Sequence, residues 1–251
     1  MKTLTVVSYN IHRARGLDNR VDVGRIADVL RETGADVVGL QEVFVSQAAS
    51  VAGDLGMEVA MAPTRSWSFA HYGNAVLSRL AVKDHYRFDL TRPGREPRGG
   101  LRVDLDAGRI LLHLFNVHFG LRFWERREQV ELLLARQITD RRLEGPRVLM
   151  GDFNEWLPGP VVRSLGREFG VRRRGLRRTH PASFPLFPLD QIFWDAGLEA
   201  EQLRVHRSRL ARVASDHLPI IARLRLPDPP ARGGCPDPLT RVPARDGLRP
   251  L

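Results

Sequence analysis

Behind the apolar run Val148, Leu149 and Met150 stand Gly151, Asp152, Phe153 and Asn154, the segment GDFN. A carboxylate beside a carboxamide offers a proton acceptor for water and a neutral group to orient it, a combination suited to hydrolysis of an anionic ester. Gly, Asp and Asn are equally the residues that turns prefer, so GDFN alone is as much a turn as a site. The same juxtaposition recurs along the chain. Asn10 follows the β-prone stretch Leu4, Thr5, Val6 and Val7, and Glu42 follows Val37, Val38, Gly39 and Leu40. His118 closes LLHLFNV, Asp190 opens a short run toward Trp194, and Asp216 with His217 leads into Leu218, Pro219, Ile220 and Ile221.

Each residue also has a plainer reading. Asn10 by itself is a turn or cap residue, and a lone His118 is more often a hydrogen-bonded structural histidine. Glu42 is constrained more tightly: at the end of an apolar strand it must be exposed, paired or bound to metal, because an unpaired buried carboxylate is too costly. Asp216 and His217 join an acceptor to a titratable imidazole at one point. The chain shows no Ser or Cys nucleophile elbow, no Gly-rich phosphate loop and no closed Cys/His zinc set. Oxygen ligands with imidazoles suit a hard cation, Mg²⁺ or Mn²⁺, and attack of water on a phosphate ester.

These groups need strands to carry them and helices to space the strands. Val23, Ile26, Ala27, Val29 and Leu30 recur at helical spacing between Asp22 and Gly34, and residues 46–55 read as a second helix stopped by Gly56. Residues 57–62 and 72–78 read as strands, with Asn74 early in the latter, where an Asn either opens the strand or contacts something. Residues 82–90, 101–105 and 109–117 alternate as a β-meander around the turn Asp106, Ala107 and Gly108, with the loop 92–100 containing EPRG. Residues 119–124 read as a loop and 125–142 as one helix, with Val130, Leu133, Leu134, Gln137 and Ile138 on its buried face. Gly151 is expected to turn the backbone sharply, leaving Asp152 and Asn154 on the following loop. A short helix ends near Leu165, and residues 198–204 form a further strand.

The 251 residues carry 39 Lys and Arg against 29 Asp and Glu, a net charge of +10. That excess favours polyanions or anionic membranes, although Arg so outnumbers Lys that coding bias would produce the same surface. Residues 163–178 hold seven Arg against one Glu, either a phosphate-contacting loop or a solvated run. The single Cys235 excludes an intrachain disulfide, the first residues do not resemble a signal peptide, and no apolar run approaches ~18 residues. A cytoplasmic protein without a transmembrane segment is expected, monomeric for preference. Residues 1–226 read as one domain, and 227–251, rich in Pro, Gly, Arg and Asp, as a disordered tail.

The motifs SYNIH, LQEV, YGNAVLSR, NVHFG, GDFNEW, LDQIFW and SDHLPI, spread in this order over residues 8–221, resemble the endonuclease/exonuclease/phosphatase superfamily, whose fold is that of DNase I. The resemblance implies an α/β fold, a four-layer α/β sandwich of two mainly antiparallel sheets packed face to face with helices outside. It implies a divalent-metal-dependent phosphoesterase in which Asn10 and Glu42 lie at metal and phosphate, Glu42 being the principal ligand and Asp216 joining directly or through water. Asp152 and Asn154 would align and activate the attacking water, with either Asp152 or His217 as general base. His217 would contact the scissile phosphate, oriented by Asp190, and His118 would stabilise charge on the phosphoryl oxygens. His12 departs from the pattern, since nuclease members often carry a carboxylate two residues after the Asn, and this puts a second metal position in doubt.

Asn74, Arg98, Arg173 and Arg174 are the expected substrate contacts. The superfamily acts on DNA, RNA, inositol phosphates and phospholipid head groups with specificity in its loops. The Arg-rich segment and net charge favour a nuclease acting on nucleic acid, with a phospholipid or phosphoinositide at an anionic membrane as the alternative. A silent polyanion-binding module is disfavoured by the intact cluster of polar groups, which a pure binder does not need.

Overall fold

The computed structural model describes residues 3–67, 70–108, 110–140, 142–170 and 177–227. Strand β1 (Thr3–Asn10) is followed by helix α1 (Val23–Thr33) and strand β2 (Val37–Phe44). Asp22 caps α1 by accepting the Arg25 backbone N–H at 2.9 Å, and Gly34 ends it in the left-handed conformation. The helix is the crossover that lets β1 and β2 lie parallel. Helix α2 (Val45–Leu55) starts as β2 ends, with the Gln47 side chain accepting the Phe44 N–H, and it stops at the left-handed Gly56.

The chain continues through β3 (Glu58–Trp67), β4 (Ala70–Ser78), β5 (Val82–Asp89), β6 (Gly99–Asp106), β7 (Leu111–His118), α3 (Phe123–Leu133) and β8 (Arg147–Asp152). It closes with α4 (Pro160–Glu168), β9 (Asp190–Trp194), β10 (Glu199–Val205), the single turn α5 (Ala211–Ala214) and β11 (Ile220–Arg225). One sheet has six strands in the order β10-β11-β1-β2-β4-β3, the other five in the order β5-β6-β7-β8-β9. Among the described strands only β1 with β2 and β7 with β8 pair in parallel. Val6, Val37, Val76, Val103, Leu114 and Met150 fill the space between the sheets. Ile26, Leu30 and Val51 pack α1 and α2 on one outer face, and Val130, Leu133 and Leu165 pack α3 and α4 on the other. The result is the four-layer α/β sandwich that the motif order implies.

Three local expectations change. Gly151 does not turn the chain: it stays within β8, paired with Val117 and Gln191, at φ 152°. Glycine is needed there because a Cβ would lie 2.0 Å from the Val117 carbonyl oxygen, so the constraint is close strand approach, and the backbone turns later at Asn154, φ 50°. The helix expected over 125–142 starts at Phe123, passes into a π-helical turn at Leu134–Ile138 and ends there. It buries Glu125, Arg126 and Gln129: Arg126 donates to the Leu121 carbonyl, and Gln129 accepts the Gly120 N–H and donates to the Leu90 carbonyl after β5. Hydrophobic periodicity does not register such a face. Asn74 lies mid-strand, and its Nδ2 donates to the Gly99 carbonyl at 2.9 Å, tying one sheet to the other. Residues 171–176, with Arg173 and Arg174, and the tail beyond residue 227 lie outside the described residues. No helix among the described residues is long and apolar enough to cross a membrane.

Candidate active site

Two parallel strand pairs, one in each sheet, deliver their carboxyl ends to the same edge of the sandwich. Asn10 is the last residue of β1, His118 of β7 and Asp152 of β8, and Asp190 is the first of the antiparallel β9, directly opposite Asp152. Glu42 sits within β2 at φ 54°, where the pairing with β4 slips between Leu40 and Val43. A bulge of this kind re-aims a side chain, and the left-handed conformation is costly for a non-glycine residue. Beneath these ends Gln41 donates to the Asn116 Oδ1 at 2.6 Å and to the Ser8 Oγ at 3.2 Å, while Asn116 donates to the carbonyls of Leu40 and Ala75. This buried network locks the sheets together under the site.

Asn10 stands at the junction. Its Nδ2 donates to Asp152 Oδ2 at 3.0 Å and to Glu42 Oε1 at 3.3 Å, and its Oδ1 accepts the His12 N–H. Ser215 Oγ donates to the Asn10 carbonyl at 2.8 Å and accepts the His217 N–H, fixing the loop that carries Asp216 and His217. His217 Nδ1 donates to Asp190 Oδ2 at 2.8 Å, which leaves Nε2 3.9 Å from Asp152 Oδ2. His118 Nε2 lies 3.7 Å from Asp152 and 4.0 Å from Glu42. Behind it Arg98 Nη1 approaches His118 Nδ1 at 3.5 Å; a guanidinium can only donate, so the ring proton belongs on Nε2, facing the carboxylates. Asn154 donates its backbone N–H to Asp152 Oδ1 and its Nδ2–H to the Phe119 carbonyl.

Together these groups floor a cleft of about 430 Å³ whose walls include Arg13, Arg65, Tyr72, Arg98, Trp156 and His180. Asn10, Glu42, His118, Asp152, Asn154, Asp190, Asp216 and His217 are therefore in one cluster. Arg98 lines the cleft and Asn74 does not. Sequence reasoning passed over Ser215, although it sits in the SDH motif, and Gln41 and Asn116, which stand in LQEV and NVHFG. It also passed over Tyr72, hydrogen-bonded to Glu42, and His180, whose ring lies 4.8 Å from that of His217; neither ends an apolar run, and only folding brings them in.

Burial dominates the electrostatics. It drives Asp152 well above the usual carboxylate range, with Asp190 adding to the effect and His217 and Asn10 opposing it. For His217 burial disfavours the imidazolium, but the neighbouring carboxylates of Asp190, Asp152 and Asp216 outweigh it and push the ring up to about 10. His118 goes the other way: burial, helped by the positive Arg98, keeps it neutral. The two clusters whose ligand atoms lie within 4.8 Å of one another, Asp152/Asp190/His217 and His180/Asp216/His217, both draw on His217. The surrounding carboxylates keep both of its ring nitrogens protonated, so Nε2 has no lone pair to offer a cation. Glu42 and Asp216, with side chains 23% and 32% exposed, offer the oxygens that fit a hard divalent cation, whereas Asp152 and Asp190, at 2% and 0%, are sealed, and Asn10 turns its Nδ2 rather than its oxygen to Glu42.

The family model of the endonuclease/exonuclease/phosphatase family matches residues 7–217. The chain belongs to this family. Its enzymes are hydrolases that generally use divalent metals. A relative from Escherichia coli, the uncharacterized protein YbhP, is 29% identical over 245 residues, covering 88% of this chain and 96% of its own. A family member from Beutenbergia cavernae has a similar structure, with TM-score 0.70, 24% identity and coverage of 90% of this chain and 72% of that one. A mannosyl-6-phosphatase from Bacteroides thetaiotaomicron superposes with TM-score 0.74 at 21% identity, covering 89% of this chain and all 100% of that one. D. rerio TDP2 bound to a single-strand DNA product does so with TM-score 0.68 at 16% identity, covering 90% and 100%. At these identities the likeness is one of fold.

Proposed function

We propose that this protein hydrolyses a phosphodiester by in-line attack of water, with residues 1–226 as the catalytic unit. The observation that carries the reading is the joint hold of Asn10 on Asp152 and Glu42, which couples a proton-accepting carboxylate to a metal-suited one. Asp152 accepts the proton of the attacking water, which Asn154 orients. His217, charged and clamped by Asp190, donates from Nε2 to the phosphoryl group, and neutral His118 donates from its own Nε2 to an adjacent oxygen, while the P–O bond opposite the water breaks and the departing alkoxide takes its proton from solvent in the open cleft. Glu42 and Asp216, the former held in place by the Asn10 amide, would hold one Mg²⁺ or Mn²⁺, which when bound neutralises the charge developing on the phosphate. Since His12 stands 3.8 Å from Asp216 in place of a carboxylate, one metal position is proposed. A cytoplasmic monomer completes the proposal.

Arg13, Arg65 and Arg98 on the cleft wall suit any anionic ester and keep a nuclease as the second reading. The Arg-rich segment adds less than its sequence suggested. Of its four described arginines, Arg163 and Arg167 lie in a groove between α3 and α4 and Arg177 donates to the Leu203 carbonyl at 3.0 Å; neither these three nor Arg178 lines the cleft. Release of nitrophenol from a soluble bis-nitrophenyl phosphodiester, with Mg²⁺ or Mn²⁺ against a chelator and with Asp152→Asn as the blank, tests the reaction. No metal-dependent release above the blank would refute it.

A further inference from the structure

The large apolar side chains most exposed to water among the described residues gather at one place. Among the described residues the four most exposed are Leu157 at 74%, Phe184 at 70%, Trp124 at 67% and Leu121 at 62%. All four belong to loops or loop edges around the mouth of the cleft: after β7, after β8 and before β9. The loops are neighbours. Asn154 donates to the Phe119 carbonyl across the first two, and Trp156 packs on Phe187 at 4.5 Å across the last two. Scattered exposed apolar residues need no explanation, but a ring of them around an opening does.

We propose that this rim is a docking surface for an anionic lipid bilayer, seating the cleft against the head groups. Charge complementarity supports the choice, because three of the four apolar tips have an arginine beside them. The Arg127 guanidinium lies 5.8 Å from the Trp124 ring centre, Arg163 donates to the Pro158 carbonyl next to Leu157, and Arg212 donates to the Ser183 carbonyl next to Phe184. Apolar tips that enter the acyl boundary, flanked by cations that meet anionic head groups, are the two ingredients of interfacial binding. A single-stranded polynucleotide would use Trp124 and Phe184 as stacking platforms. It would find no π face on Leu157 or Leu121, the first and fourth most exposed of the set. Docking itself is independent of the chemistry; that the docked cleft meets a lipid phosphoester rests on the reading given above.

The test compares the full-length parent with the triple variant Trp124→Ser, Leu157→Ser, Phe184→Ser, none of which lines the cleft. Both are sedimented with phosphatidylcholine vesicles with and without phosphatidylglycerol, in chelator so that turnover plays no part. The parent should bind only the phosphatidylglycerol vesicles, and the triple variant should bind at least ~10²-fold more weakly, since each lost insertion removes about tenfold in partitioning. The variant should retain its thermal midpoint and its turnover of the soluble nitrophenyl diester. Equal vesicle binding by parent and variant, or no binding by the parent, overturns the proposal. So does loss of single-stranded oligonucleotide binding or of self-association in the variant without any vesicle effect. Vesicle binding without metal-dependent release of nitrophenol would instead remove the hydrolase reading and leave the docking surface standing.

Discussion

On the flank of the cleft built by β7, β8 and β9, the carboxylates of Asp152 and Asp190 and the rings of His118 and His217 are sealed from solvent. On the flank built by β1 and β2, Glu42, Asp216 and His12 remain half open to it. The same residue types occupy both flanks, so their difference is one of environment. Sealing magnifies every charge interaction and moves proton affinities far from their ordinary values, as Asp152, His118 and His217 display. An open carboxylate can exchange ligands with solvent. On the proposed reading the sealed flank handles protons and the open flank handles the cation.

The strongest way to break that division is Asp152→Asn. It should lower turnover of the soluble diester by ~10² to 10⁴-fold while leaving Mg²⁺ affinity, measured by calorimetry, and the thermal midpoint near the parent's. A rate within a small factor of the parent would reduce Asp152 to a scaffold residue. Next, Asp190→Asn should cost on the order of 10²-fold in turnover and, in the metal-free protein, let the pKa of His217 fall toward and below its ordinary value. Ring-proton NMR titration would read this directly, and an unmoved His217 would remove Asp190 as its orienter.

On the open flank, Glu42→Gln should weaken Mg²⁺ binding at least ~10-fold with little effect on stability, and part of the lost turnover should return at high Mg²⁺. Unchanged calorimetric affinity would take Glu42 out of the metal site. A smaller effect concerns stability. His217, raised from 6.5 to about 10, holds a proton in the folded state that the unfolded chain releases. Its contribution is therefore complete below about pH 6.5 and is lost as pH rises toward about 10. The metal-free protein should melt progressively lower across that window, and His217→Gln should flatten the decline; an equally steep decline in the variant would assign it elsewhere. The smallest effect expected is none: ending the chain after Leu226, which is buried in the core between the sheets, should leave turnover and melting unchanged.

Much of this was legible before folding. Strand ends announce themselves as apolar runs broken by polar residues, which is why Asn10, His118, Asp152 and Asp190 could be picked out one by one. Glu42 was visible as a residue but not as a conformation. VVGLQEVF reads as one strand, and only the pairing with β4 exposes the bulge that turns its carboxylate toward Asn10. Gly151 was noticed for the wrong reason, because a glycine demanded by a neighbouring strand looks the same in sequence as one demanded by a turn. Helix α3 departs from its expected bounds because its first buried residues, Glu125, Arg126 and Gln129, are polar, Gln129 joining the backbone at Gly120 to that at the distant Leu90. Asn74 was expected at the substrate and instead ties the sheets, a contact between residues 25 apart in sequence.

The order in which the sheets are assembled from the chain has a further consequence. The five-stranded sheet is contiguous, from residue 82 to residue 194, whereas the six-stranded one opens with β1 and is completed only when β11 slots between β10 and β1. During synthesis the second sheet is therefore fully made while the first still has a gap beside its earliest strand. Asp216 and His217 emerge immediately ahead of the strand that fills that gap. On the proposed reading, ribosome-held chains stopped before residue 215 should hold every other member of the cluster and yet hydrolyse nothing, so that activity would await the last of the described strands.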